Sequence, residues 1–123
     1  MSAHICRRYF DAASEEATRA ALELRMDVLR TFPKMTVNRP YRKPIGPHPT
    51  AMWSCEMHTP TQLAQLLPWL CTRNRGLSVL VHPNTGDDYA DHAQHCYWLG
   101  EPLRLRLGIL RRFQDRAKAK AKL

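Results

Sequence analysis

Four prolines, Pro40, Pro44, Pro47 and Pro49, crowd residues 34–50 of this 123-residue chain. Proline lacks an amide hydrogen and has a fixed φ, so no central strand of a sheet can pass through that stretch. Only Met35 to Asn38 can form a short edge strand, and the remainder is a stiff loop. The elements before it must therefore close by about Pro33, and a second set must start near Thr50. The length suits one domain around one core, and the 44% apolar share is that of a globular chain.

Before the loop, residues 3–10 read as a strand containing Ile5, Tyr9 and Phe10, although Arg7 and Arg8 interrupt the alternation. From Ser14 to about Thr31 the pattern is helical. Ala17, Ala21, Leu24 and Val28 fall on one stripe, and Glu16, Arg19, Glu23, Asp27 and Arg30 on the opposite one. After the loop, Ala51, Trp53, Cys55 and Met57 share one face of a strand and Met52, Ser54 and Glu56 the other. Thr59-Pro-Thr-Gln62 is a capping-box signature opening a helix with a Leu63, Leu66, Leu67 and Leu70 stripe. Pro68 is expected to kink that helix and Gly76 to stop it.

Leu77 to Val81 is a short apolar, β-branched run that delivers His82 to its end. Strand, helix, strand, strand, helix, strand predicts an α+β, ferredoxin-like βαββαβ domain. Two helices cover one face of its antiparallel sheet, and the other face is free for a ligand, a partner or the C-terminal segment. This domain is expected over residues 1–102, with a basic C-terminal extension over 103–123. Tyr89 to Cys96 reads as a short helix capped by Asp87 or Asp88, and the segment from Leu103 to Leu110 fits a strand at first and a helix later.

The net charge of +8 raises the question of a nucleic-acid partner. Its excess sits in Arg104, Arg106, Arg111, Arg112, Arg116, Lys118, Lys120 and Lys122, the pattern of a solvated helix end. Leu77 to His82 offers no aromatic for base stacking, which also argues against RNA. Cys6, Cys55, Cys71 and Cys96 form no Cys-x-x-Cys pair, so reduced thiols are expected. No apolar run approaches the roughly 18–20 residues that span a bilayer. Met1 to Arg8 lacks the apolar core of a secretory signal, so a cytoplasmic location is expected.

The potential ligands cluster late in the chain. His82 is followed by a Pro-Asn-Thr-Gly turn, Asp87, Asp88, Asp91, His92 and His95, with Asp88–His92 and Asp91–His95 each four apart. His48, in Ile45-Gly-Pro-His-Pro-Thr50, also lies just ahead of a strand, and the two loops are expected to meet. Ile45-Gly-Pro-His-Pro-Thr-Ala-Met-Trp53 and Leu77-Ser-Val-Leu-Val-His-Pro-Asn-Thr-Gly-Asp-Asp88, with Asp91-His92 and Trp98-Leu-Gly100, resemble the DOPA 4,5-dioxygenase family of small extradiol-type enzymes. Tyr9-Phe-Asp11 resembles the family's first-strand ending. The resemblance implies a ferredoxin-like domain, often a homodimer, holding a mononuclear non-haem Fe(II) that opens a catechol such as L-DOPA with O2. Family members usually carry a His-x-His just before Tyr-Phe-Asp; here Ile5 and Arg7 hold those places, and Tyr41 stands near another family histidine.

Ring cleavage at such a metal needs three protein ligands on one side and open positions on the other. His48 and His82 are the first two expected ligands, with the third sought among His4, Glu56 and His95 in that order. His4 is offset by one residue from the nearer family place and qualifies only if the strand is bulged. His92 is the expected acid/base, its tautomer fixed by a neighbouring carboxylate. Arg39, Arg42 or Lys43 would receive a substrate carboxylate, and Trp98 would wall the pocket. Trp53 and Trp69 read as core and His58 as surface. The alternative function is a ferredoxin-like small-molecule-binding or assembly protein with a degenerate, non-catalytic site.

Overall fold

The computed structural model describes residues 3–73 and 78–121. Its elements are β1 (His4–Phe10), α1 (Glu15–Thr31), β2 (Thr36–Val37), β3 (Ala51–Met57), α2 (Pro60–Cys71), β4 (Val79–Pro83), α3 (Asp88–Ala93), β5 (Tyr97–Leu99) and α4 (Leu107–Ala121). The sheet runs β2-β3-β1-β4-β5 with every neighbour antiparallel. Its β4-β1-β3-β2 part is the ferredoxin-like order. β5, which the sequence pattern does not predict, adds an edge by pairing Tyr97, Trp98 and Leu99 with Val81, Leu80 and Val79. β4 extends through His82 to Pro83, so this histidine lies inside the ladder. The expected stop at Gly76 and the strand start at Leu77 lie outside the described residues.

The helix starts are fixed by side-chain oxygens. Ser14 accepts from the Ala17 amide at 3.1 Å, Thr59 from the Gln62 amide at 3.1 Å and Asp87 from the Ala90 amide at 3.0 Å. Each satisfies one amide that the first helical turn leaves without a partner. α2 continues through Pro68 to Cys71. α1 and α2 cover the face built from Cys6, Phe10, Trp53, Cys55, Met57, Val79 and Val81. Trp53 is wholly buried there, and its indole N–H donates to the Ala21 carbonyl at 2.8 Å. All four cysteines are free thiols.

On the second face Tyr9, Met52 and Leu80 pack with Tyr41, Cys96, Trp98, Leu103 and Leu105. The C-terminal segment thus occupies part of the face left free by α1 and α2. Residues 103–106 are irregular and α4 comes after them, which resolves the ambiguity of that stretch. α4 packs against α3: Gln114 donates to Asp87 at 3.1 Å, and the Arg111 guanidinium lies 4.4 Å from the Tyr89 ring centroid. The Arg106 amide donates to the Pro47 carbonyl at 2.8 Å, tying the extension to the proline-rich loop. Among the described residues, no helix is long and apolar enough to cross a membrane.

A histidine and arginine pocket on the second face

Side chains alternate across β1, and the register runs unbroken from His4 opposite Met57 to Phe10 opposite Ala51. Cys6 and Phe10 enter the helix-covered core, whereas Tyr9 packs on the second face. Ile5 and Arg7 share that second face, opposite His82 and Leu80 of β4. With no bulge in the strand, His4 falls on the core-side parity, paired with Met57 and Pro83, away from His82. The expectation that His4 supplies a metal ligand is therefore corrected.

His48, His82 and His92 come together on the second face. The His82 and His92 ring centroids are 4.1 Å apart, and those of His48 and His92 are 5.8 Å apart. All three are buried, with 4%, 3% and 7% of their surface exposed. Three elements deliver them: the loop ending in Pro47-His48, the end of β4, and α3, whose Asp87 cap sets His92 one turn into the helix. Tyr9 joins them, its hydroxyl 2.7 Å from His48 Nδ1, and Trp98 stacks on Tyr9 at 5.7 Å.

The hydrogen bonds assign the tautomers. His82 Nδ1 lies 2.8 Å from the Pro83 carbonyl, which can only accept, so this nitrogen carries the proton. His82 Nε2 accepts from Arg7 Nε–H at 3.1 Å. His92 Nδ1–H donates to the Asp88 carbonyl at 2.7 Å. Burial holds all three imidazoles neutral. It pushes the pKa of His48 down to about 3 and that of His82 to about 4, and lowers that of His92, with the nearby Arg7 charge acting in the same direction. His92 Nε2 is consequently a bare acceptor, and it is buried without a hydrogen-bond partner.

A backbone carbonyl, not a carboxylate, thus orients His92. Asp91 is occupied elsewhere, accepting from the Thr85 amide at 2.8 Å and hydroxyl at 2.7 Å, and lying 3.3 Å from His95. That pair leaves His95 half exposed and outside the trio. Glu56 stands on the second face beside Ile5, within 3.4 Å of the Asn38 amide nitrogen that donates to it. Arg39 lies over Tyr41, 5.6 Å from its centroid. It lines a hollow of about 450 Å³ with Arg7, Asn38, Tyr41 and Glu56. Arg42 and Lys43 line a separate surface hollow with Arg39 and Pro44. Trp98 and His92 share a third, of about 460 Å³, walled by Leu103 and Leu105. The sequence places Tyr9 in the Tyr-Phe-Asp motif and Arg7 where the family has a histidine, but assigns neither to the pocket; the available signal was a cation interrupting strand alternation on the same parity as Tyr9.

Ferrous iron is the group that the resemblance implies for this pocket. Two features suit it: His82 and His92 are anchored through Nδ1–H on carbonyls, as metal-bound histidines usually are. A third feature does not. Arg7 Nε–H occupies the ligating nitrogen of His82, and a guanidinium about 4 Å from a divalent cation is repelled by roughly 8 kcal/mol at an effective dielectric of about 20. Among the described residues, no group of three or more His, Cys, Asp or Glu side chains is placed to hold a metal ion. As arranged, the residues do not fit the iron.

The Dopa 4,5-dioxygenase family model matches residues 2–109. An uncharacterized 21.2 kDa protein of Botryotinia fuckeliana is 36% identical over 118 residues, covering 90% of this chain and 64% of its own length. A DOPA 4,5-dioxygenase of Amanita muscaria is 35% identical over 108 residues, 83% of this chain and 46% of that protein. The chain therefore spans between about half and two thirds of these curated relatives. A solved structure of a candidate dioxygenase from Nostoc punctiforme superposes with a TM-score of 0.83 at 37% identity, covering 92% of this chain and 94% of that one. With the match extending over almost the whole chain, this protein belongs to the Dopa 4,5-dioxygenase family.

Proposed function

We propose that the chain is an oxygenase of the dioxygenase type whose histidine pocket takes a catechol such as L-DOPA. One observation carries this reading: the buried, unpartnered Nε2 of His92 is a base awaiting a donor. A catechol hydroxyl supplies that donor, hydrogen-bonding to His92 while the Asp88 carbonyl keeps the ring oriented. Arg7 lies on the adjacent His82, a cation placed for an ionised catechol oxygen. Tyr9 and Trp98 form an aromatic wall beside His48, and Arg39 lines the same hollow as Arg7 and would receive a substrate carboxylate.

Fe(II) and O2 are the expected partners of ring cleavage. An iron-dependent form of this reading would need Arg7 to leave His82 first, and iron would then supply a binding position for O2. A second reading, binding of a small aromatic without turnover, is favoured by the guanidinium seated on His82. Oxygen uptake with L-DOPA, measured with and without added Fe(II), separates the two. Uptake that is lost in His92→Ala supports the oxygenase. No uptake under either condition, with catechol still bound, leaves the binding protein.

A further inference from the structure

We propose that Arg7 holds the anionic oxygen of a catechol directly, so that the pocket binds its catechol without a metal ion. This rests on the catechol reading of the pocket and deepens it. The position of Arg7 is unusual for a cation. It sits in the middle of the central strand, between Ser54 and Leu80 on the neighbouring strands. None of the ion pairs among the described residues involves its guanidinium. Its Nε–H goes to His82, and Nη1 makes only a weak contact of 3.8 Å with the Met52 sulfur. A guanidinium has five N–H donors in a planar fork suited to paired oxygens. Most of that capacity is left without a protein acceptor, and Arg7 also lines the hollow that holds Arg39 and Tyr41. Glu56 also lines this hollow, but it receives the Asn38 amide and is not paired with Arg7.

The acceptor complements the cation. His92 Nε2 needs a donor, and Arg7 needs an acceptor of negative charge. Both lie against His82, Arg7 through the 3.1 Å bond and His92 through rings 4.1 Å apart. A singly ionised catechol offers one of each on adjacent carbons: O⁻ for Arg7 and O–H for His92. A phenol offers only one of them. A divalent cation could take the His92 Nε2 lone pair, but it would have to enter beside a fixed positive charge and would leave Arg7 without an acceptor.

The probe is 4-nitrocatechol, whose visible band reports its ionisation, titrated into protein held in excess EDTA, with 4-nitrophenol as the one-oxygen comparison. Binding in EDTA as the anion is expected, unchanged when Zn(II) replaces the chelator. Arg7→Ala should weaken it about tenfold to a hundredfold, the usual worth of a hydrogen bond to a charged group. Arg7→Lys should restore part of the loss, and His92→Ala should bring the affinity for 4-nitrocatechol down to that for 4-nitrophenol. Binding that appears only with Zn(II) or Fe(II) would overturn the direct role of Arg7 while leaving the catechol reading standing. Absence of binding with and without metal in the folded wild type would overturn both.

Discussion

The central strand carries two adjacent arginines that face opposite ways, and they divide the molecule. Arg8 points under the helices, where it is 2% exposed; its Nη1 donates to the Tyr9 carbonyl at 3.0 Å, and its Nε has no partner. Burial pushes its pKa down to about 10. Arg7 points to the second face, where its Nε–H is bound by His82. Arg8 lines a smaller hollow of about 200 Å³ with Glu23, Asp27 and Arg73, beside a core that the helices close through residues such as Trp53 and Leu66. Around Arg7 the sheet is lined by imidazoles, tyrosines and a tryptophan, and hollows of about 450 and 460 Å³ lead to Arg7 and His92. The same strand thus uses one parity for the helix-covered core and the other for the histidine pocket.

Substitutions on the two faces should separate those roles. The largest stability loss is expected for Trp53→Ala, about 3–5 kcal/mol in chemical denaturation, because it leaves a large void and removes the indole bond to the Ala21 carbonyl. The folded fraction should still bind catechol; a loss of binding matching that of His92→Ala would erase the distinction between the faces. Next comes acid. The unfolded chain protonates its histidines below about pH 6.5, while folded His48 and His82 stay neutral until about pH 3 and 4. Their contribution is complete above pH 6.5 and is lost as the pH falls through that window. Lowering the pH from 7.5 to 5.5 should cost about 2–3 kcal/mol for the two together, and a flat profile would mean that these rings are not buried neutral.

Tyr9→Phe should cost about 1–2 kcal/mol by removing the 2.7 Å partner of His48 Nδ1. It should also weaken catechol binding, although the aromatic stack on Trp98 is retained. The smallest effect is expected for Asp27→Asn, below about 0.5 kcal/mol, since its 3.2 Å pair with Arg30 is exposed on both sides.

The sequence was most legible where one periodicity decided the outcome. The stripes of α1 and α2, the cap at Thr59, and the face shared by Ala51, Trp53, Cys55 and Met57 all derive from spacing. β5 was missed because three residues, Tyr97 to Leu99, carry too little pattern to mark a strand without the β4 edge they pair with. The meeting of His48, His82 and His92 was legible from two loops placed at strand ends and one short helix. The role of Arg7 was not. A cation in a strand reads as a defect until the neighbouring strand shows His82 within reach of its Nε. His4 misled for a related reason: residue type nominated it, while strand parity, which only the unbroken register establishes, turns it to the other face.

The most direct test of the pocket is a long-range proton–nitrogen NMR spectrum of histidine-labelled protein at pH 6, recorded before and after adding 4-nitrocatechol. His82 and His92 should both appear neutral with the proton on Nδ1, and the His92 Nε2 resonance should move from an unbonded to a hydrogen-bonded position when the catechol binds. Protonated rings, the opposite tautomer, or a His92 signal indifferent to saturating catechol would contradict a site in which Arg7 and His92 divide the two oxygens between them.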